Sequence, residues 1–157
     1  MKLKLILAAT AMLAAPALMT ANAQVANVYV TGGYTQLGGD APEVGGVTGR
    51  VGVGLGTYFA VEGEGTFGVK DDGPFELDNQ IGAFGVAKLP IAPSFDIFGR
   101  VGFSQTEING FDDDGLAYGV GAIYYFTEMD GIRGDITRHD YDSAEVDSFG
   151  VSYVRQF

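Results

Sequence analysis

Cysteine is missing from all 157 residues, which excludes disulfides, thiol catalysis and thiolate metal sites. Basic residues are scarce, with nine Lys and Arg against 20 Asp and Glu, so no nucleic-acid partner is expected. A membrane-length apolar run is lacking as well. The run over 5–19 contains Thr10 and Pro16 and falls short of the roughly 20 residues a helix needs to cross a bilayer. Lys2 and Lys4 before it and Ala21-Asn22-Ala23 after it make 1–23 a secretory signal peptide, which leaves 24–157 as the mature domain. Removing the two lysines makes that domain two charges more negative than the −11 of the whole chain. Helical periodicity is also absent, since no segment after residue 23 sustains it.

What the chain does have is a period of two. Phe149, Val151, Tyr153, Arg155 and Phe157 alternate with Ser148, Gly150, Ser152, Val154 and Gln156, the pattern of a strand with one face in an apolar medium. Seven more such segments precede it, giving strands near 25–35, 44–56, 59–70, 76–89, 94–107, 115–127, 131–141 and 145–157. Connections after the even strands are short: Thr57-Tyr58, the corner from Pro90 to Pro93, and Glu128-Met129-Asp130. Those after the odd strands are longer or acidic: 36–43, Asp71-Asp72-Gly73-Pro74, Asp112-Asp113-Asp114-Gly115 and 142–145. This alternation predicts an all-β, eight-stranded, antiparallel, up-and-down transmembrane barrel with both termini in the periplasm.

Charge decides which face points inward. Arg50, Glu62, Glu64, Arg100, Arg133 and Asp135 sit mid-strand, opposite in parity to Val47, Val51, Val53, Val61, Phe67, Ile97, Val101, Phe103, Ile132 and Ile136. An Arg on lipid near the midplane costs about 2–4 kcal/mol, so the ionic set belongs inside, where three cations and three anions can pair. A soluble ligand-carrying barrel would have these faces reversed. Gly52, Gly54, Gly102, Gly119, Gly121 and Gly150 share the inward parity and would make room for long Arg and Glu side chains in so narrow an interior. The fourth strand stays open. Lys88 shares a parity with Phe84 and Val86, against Ile81, Ala83 and Ala87, and is a candidate seventh ionic member. Arg138 and Arg155 fall on the lipid parity near strand ends, where a long stem can snorkel. Tyr58, Phe59, Tyr124, Phe126, Tyr153 and Phe157 would form one aromatic girdle, and Tyr34, Phe67, Phe103, Tyr118 and Phe149 the other.

The eight strands, Gly119-Val120-Gly121 before Tyr124, and the terminal ladder of Phe149, Val151, Tyr153 and Phe157 resemble the small OmpA/OmpX-type proteins of the outer membrane protein β-barrel domain family. That resemblance implies a bacterial outer-membrane location. It also implies that the barrel assembly machinery reads the terminal four residues. Arg155 departs from the pattern at a commonly apolar position, and the periplasmic peptidoglycan-binding role of OmpA-type proteins does not transfer to a chain that stops at Phe157.

No cofactor is expected. Asp112-Asp113-Asp114-Gly115 begins like a calcium loop but lacks the spacing and the final Glu, and reads as a solvated turn. The acidic loops, with Asp71, Asp72, Glu76, Asp78, Asp140, Asp142, Glu145 and Asp147, could hold Ca²⁺ or Mg²⁺ loosely against anionic lipid head groups, or simply keep the loops solvated. His139 stands beside Asp140 and four residues before Ser143, with Tyr141 where a close His-x-Ser pair would need its serine. It reads as a rim histidine rather than a catalytic base. The expectation is a monomeric structural or surface-interaction barrel in outer-membrane lipid. Alternatives are a narrow porin-like channel and, behind it, a lipid-modifying enzyme.

Overall fold

A computed structural model describes residues 27–39, 44–70, 77–108, 111–141 and 145–157. The signal-peptide reading lies outside them, as do Asp71, Asp72, Glu76, Asp142 and Ser143. Eight strands run in chain order: β1 (Val28–Gly39), β2 (Val44–Leu55), β3 (Phe59–Lys70), β4 (Leu77–Ala92), β5 (Phe95–Ile108), β6 (Phe111–Tyr125), β7 (Asp130–Tyr141) and β8 (Glu145–Gln156). Each pairs antiparallel with its neighbour, and β1 pairs with β8 from Tyr29↔Gln156 to Gly39↔Val146, closing the cylinder. Closure leaves no strand edge unpaired along the wall.

The three short turns and both described ends of the chain gather at one end of the barrel, the turn end. The other is the loop end. Gly56 turns the chain between β2 and β3 at φ 81°, a left-handed conformation that side-chain-bearing residues seldom adopt. Between β6 and β7 the Thr127 hydroxyl accepts from the backbone N–H of Met129 and Asp130 at 3.2 and 2.9 Å, the local side-chain bonding that Thr brings to turns.

Two connections differ from the sequence expectation. β4 continues through Pro90 to Ala92, so the turn is Pro93-Ser94 and the ladder shifts register between Pro90 and Ala92. Proline is tolerated there because the β3–β4 ladder has already ended at Phe59↔Ala87 and no longer needs its N–H. The acidic run is no turn at all. Asp112, Asp113 and Asp114 pair with Glu107, Thr106 and Gln105 in a hairpin that closes at Ile108↔Phe111. Ladder pairing overrides the turn preference of Asp and Gly where polar residues face one another on both strands.

Candidate functional site: the barrel interior

Alternation gives every strand one buried and one exposed face. In β7, Arg133, Asp135, Thr137 and His139 are buried while Ile132, Ile136 and Arg138 are exposed. All eleven aromatics of the two expected girdles are exposed, from Phe103 at 72 % to Tyr34 and Tyr118 at 45 %. The outer surface between them carries Val47, Val61, Val101, Val120, Ile132, Ile136 and Val151. β4 follows the same rule. Gln80, Phe84 and Val86 turn inward with Lys88, and Ala83, Ala87 and Leu89 outward.

The interior is stratified along its axis. At mid-height the six ionic residues form one closed ring of alternating charge. Arg50 Nε lies 2.6 Å from Glu64 Oε2, and the same oxygen accepts from Arg100 Nη2 at 2.7 Å. Arg100 Nη1 is 3.6 Å from Glu62 Oε2. Glu62 takes both terminal nitrogens of Arg133, at 2.5 and 3.2 Å, and Arg133 Nε donates to Asp135 Oδ1 at 3.2 Å. Asp135 Oδ2 returns to Arg50 Nη2 at 3.2 Å. Every member is at least 93 % buried, and such charges persist only when paired with good geometry. Tyr29 donates to Glu62 at 2.6 Å, and Arg50 also donates to Ser152 at 3.0 Å.

Two cations of the ionic ring rest on aromatic faces. The Arg100 guanidinium lies 3.7 Å from the Phe84 centroid and that of Arg133 lies 4.2 Å from Phe98, a favourable use of the ring quadrupole in a desolvated site. The inward glycines therefore serve a different purpose from the one expected. A Cβ on Gly121 would strike the Phe98 ring, one on Gly52 the Tyr29 ring, and one on Gly82 the Phe84 ring. At Gly102 and Gly119 it would strike the backbone of the neighbouring strand, while at Gly150 it would press on the Thr35 hydroxyl at 3.3 Å and touch Asp135 at 3.5 Å. The space goes mainly to aromatic rings and close strand approach rather than to arginine stems.

Toward the turn end the fill is apolar. Tyr29, Ala60, Val86, Phe98, Ile123 and Val154 pack as one buried cluster. Lys88 sits here, half-buried, 4.7 Å above the Tyr29 ring and apart from the ionic ring. The sequence reading missed this plug because isolated inward Phe98, Ile123 and Val154 are outnumbered by small and polar neighbours on their strands.

Toward the loop end the fill is neutral and hydrogen-bonded. His139 is not a rim residue. It is 1 % exposed, with Nδ1 2.9 Å from Ser104 Oγ and 3.3 Å from Gln80 Nε2, and Nε2 3.1 Å from Ser148 Oγ. Because the Gln80 amide nitrogen only donates and Ser148 donates to the Thr137 carbonyl at 3.2 Å, Nδ1 is the acceptor and Nε2–H the donor. The ring stacks on Tyr141 at 5.7 Å, whose hydroxyl reaches Thr106 at 2.5 Å and accepts from Gln80 at 2.9 Å. Thr48 joins Thr35 and Thr66, both at 2.7 Å. Asp140 faces outward, and the histidine's partners come from β4, β5 and β8. His139→Ala leaves Ser104, Gln80 and Ser148 without this partner and is expected to lose about 1–3 kcal/mol, measured by urea unfolding, with His139→Gln losing less.

Arg138 and Arg155 do not merely snorkel. Each faces an acid directly across the β7–β8 ladder. Arg138 bonds Asp147 through Nε and Nη2 at 2.8 and 3.0 Å. Arg155 reaches Asp130 at 3.1 Å, and Tyr153 donates to the same carboxylate. Pairing hairpin residues in register would have revealed both.

A sealed eight-stranded antiparallel cylinder, greasy outside between aromatic girdles and ionic at its centre, is the design of a membrane-spanning barrel. The chain belongs to the outer membrane protein β-barrel domain family, whose match runs over residues 5–157, which places it in the bacterial outer membrane. Among solved structures it is similar to the N-terminal β-barrel domain of Pseudomonas aeruginosa OprF, with a TM-score of 0.67, 12 % identity, and coverage of 85 % of this chain and 100 % of that one. It is similar also to Ail, the attachment invasion locus protein of Yersinia pestis, with a TM-score of 0.63, 15 % identity and the same coverage. Neisserial surface protein A follows with a TM-score of 0.56, 14 % identity, and coverage of 84 % of this chain and 97 % of that one. These likenesses concern the fold. No curated protein matches the chain.

Proposed function

We propose that this protein is a non-conducting, monomeric outer-membrane barrel that serves a structural or surface-interaction role through its acidic loop end. The observation that carries the reading is the stacked interior, in which the apolar plug, the charge ring and the neutral layer around His139 follow one another along the axis. A wet path would have to cross all three. The reading also takes 1–23 as a cleaved signal peptide and the turn end as periplasmic. The barrel assembly machinery would then receive Phe149, Val151, Tyr153 and Phe157 during insertion, and outer-membrane lipid would be the lasting partner. Catalysis is not part of it, because the ring nitrogens of His139 are committed to structural bonds.

Conductance across a planar bilayer tests the sealed interior. Wild type is expected to show no discrete steps, and a variant carrying both Arg133→Ala and Phe98→Ala is expected to show them. Steps from the wild type would instead favour the channel reading. Shortening Arg100 alone is expected to stay silent, since Phe98 and Ile123 still close the turn end.

For the loops, Glu107, Asp114, Asp140, Glu145 and Asp147 give the described loop end a negative field. Ail has been crystallised with the heparin analogue sucrose octasulfate. A sulfated ligand would be repelled here, so the surface suits cationic partners or bridging Ca²⁺ or Mg²⁺.

A further inference from the structure

One part of the outer wall is hollow. Ala87 faces Gly99 across the β4–β5 ladder and Ala122 faces Gly134 across β6–β7, all on the outward parity. Together they floor a groove of about 630 Å³, walled by Ile97, Val120 and Ile136. The chain does not fill this space itself. A Cβ on Gly134 would meet nothing within 4 Å, and one on Gly99 only the Gly119 carbonyl oxygen, at 3.9 Å.

Its depth in the membrane follows from the next outward residues toward the loop end. Tyr118 follows Val120 and Arg138 follows Ile136, and the two face one another in the ladder. Arg138 and Asp147 are each 47 % exposed as a side-chain pair, and a Tyr beside an Arg on the lipid parity marks the interface. The groove lies one row beneath and is continuous with the apolar belt on both sides.

We propose that this groove is a binding site for a phospholipid acyl chain, held longer than the neighbouring bilayer chains. Between acyl tails a protein surface gains nothing from leaving water, so the quality of van der Waals contact selects the occupant. A thin flexible chain can lie on the glycine and alanine floor and touch both walls, gaining the contacts that an unfilled hollow forfeits. The convex wall of a second barrel would ride on Val120 and Ile136 and leave the floor empty. The site is independent of whether the lumen conducts.

Native mass spectrometry of the protein released from phosphatidylglycerol vesicles into detergent tests it. Wild type is expected to retain one phospholipid. The double variant Gly99→Leu with Gly134→Leu, which fills the hollow without a backbone clash, is expected to retain at least tenfold less. Gly63→Leu adds the same side chain at an outward position where a Cβ also meets nothing within 4 Å, outside the groove, and is expected to retain lipid like wild type. Gel mobility of unboiled samples shows whether each variant is a closed barrel, and Gly134→Leu alone serves if the double variant is not. Equal retention in every folded variant overturns the proposal. So does a wild-type dimer that the groove variants abolish, because a second copy would then be the occupant.

Discussion

Glu62→Ala is expected to lower the unfolding free energy by about 3–5 kcal/mol, read from urea titration of the protein in phospholipid vesicles. Glu62 is the most connected anion of the ring, binding both terminal nitrogens of Arg133, accepting from Tyr29 and facing Arg100. Removing it strands Arg133 at 1 % exposure with only Asp135 to neutralise it, and a buried charge without its counterion is what makes such deletions expensive. The paired replacement of Glu62 by Leu and Arg133 by Met removes both charges together and is expected to cost far less, because no ion is left uncompensated. If Glu62→Ala and the paired replacement destabilise equally, the ring contributes packing volume rather than charge pairing. Arg100 is the weak link. Its Nε and Nη1 make no hydrogen bond, so its contribution rests on the Glu64 bond, the longer 3.6 Å ion pair with Glu62 and the Phe84 ring.

Gly102→Leu is expected to abolish the closed barrel, whereas Gly63→Leu leaves it intact. A side chain at Gly102 would begin inside the Ala83 carbonyl and the Phe84 backbone of the adjoining strand. Backbone held on both sides by ladder bonds cannot move aside as a flexible side chain can, so the loss should exceed the about 1–3 kcal/mol typical of overpacking. At Gly63 the added atoms go into lipid, where Leu is at home. Mobility of unboiled protein on a gel and protease resistance report closure. A Gly102→Leu barrel that closes normally would mean that β4 and β5 can separate at this level without opening the wall.

Much of this was legible in the chain because strand alternation is a local property. Successive residues point to opposite faces whatever the rest of the molecule does. Hence the parity of Arg50, Glu62, Glu64, Arg100, Arg133 and Asp135, the eight-strand count and the outward aromatics could be read from neighbours one and two positions away. Where local signals competed, reading failed. Asp112-Asp113-Asp114 carries turn chemistry, but the polar strand opposite extends the hairpin past it, and Pro90 looks like a corner only until one sees that β3 has stopped short of it.

Two features depended on the closed cylinder alone. One is the pairing around the ring: Arg133 meets Glu62 seventy-one residues away because strand stagger brings β3 and β7 to the same height across the axis. The other is the role of His139, whose sequence neighbour Asp140 faces outward at the loop end while residues of β4, β5 and β8 surround the ring. The sequence by itself determined which side of the wall each residue occupies, since that follows from the pleat. Height along the axis and the partner across the lumen depend on shear and closure, which belong to all eight strands at once and to no single segment.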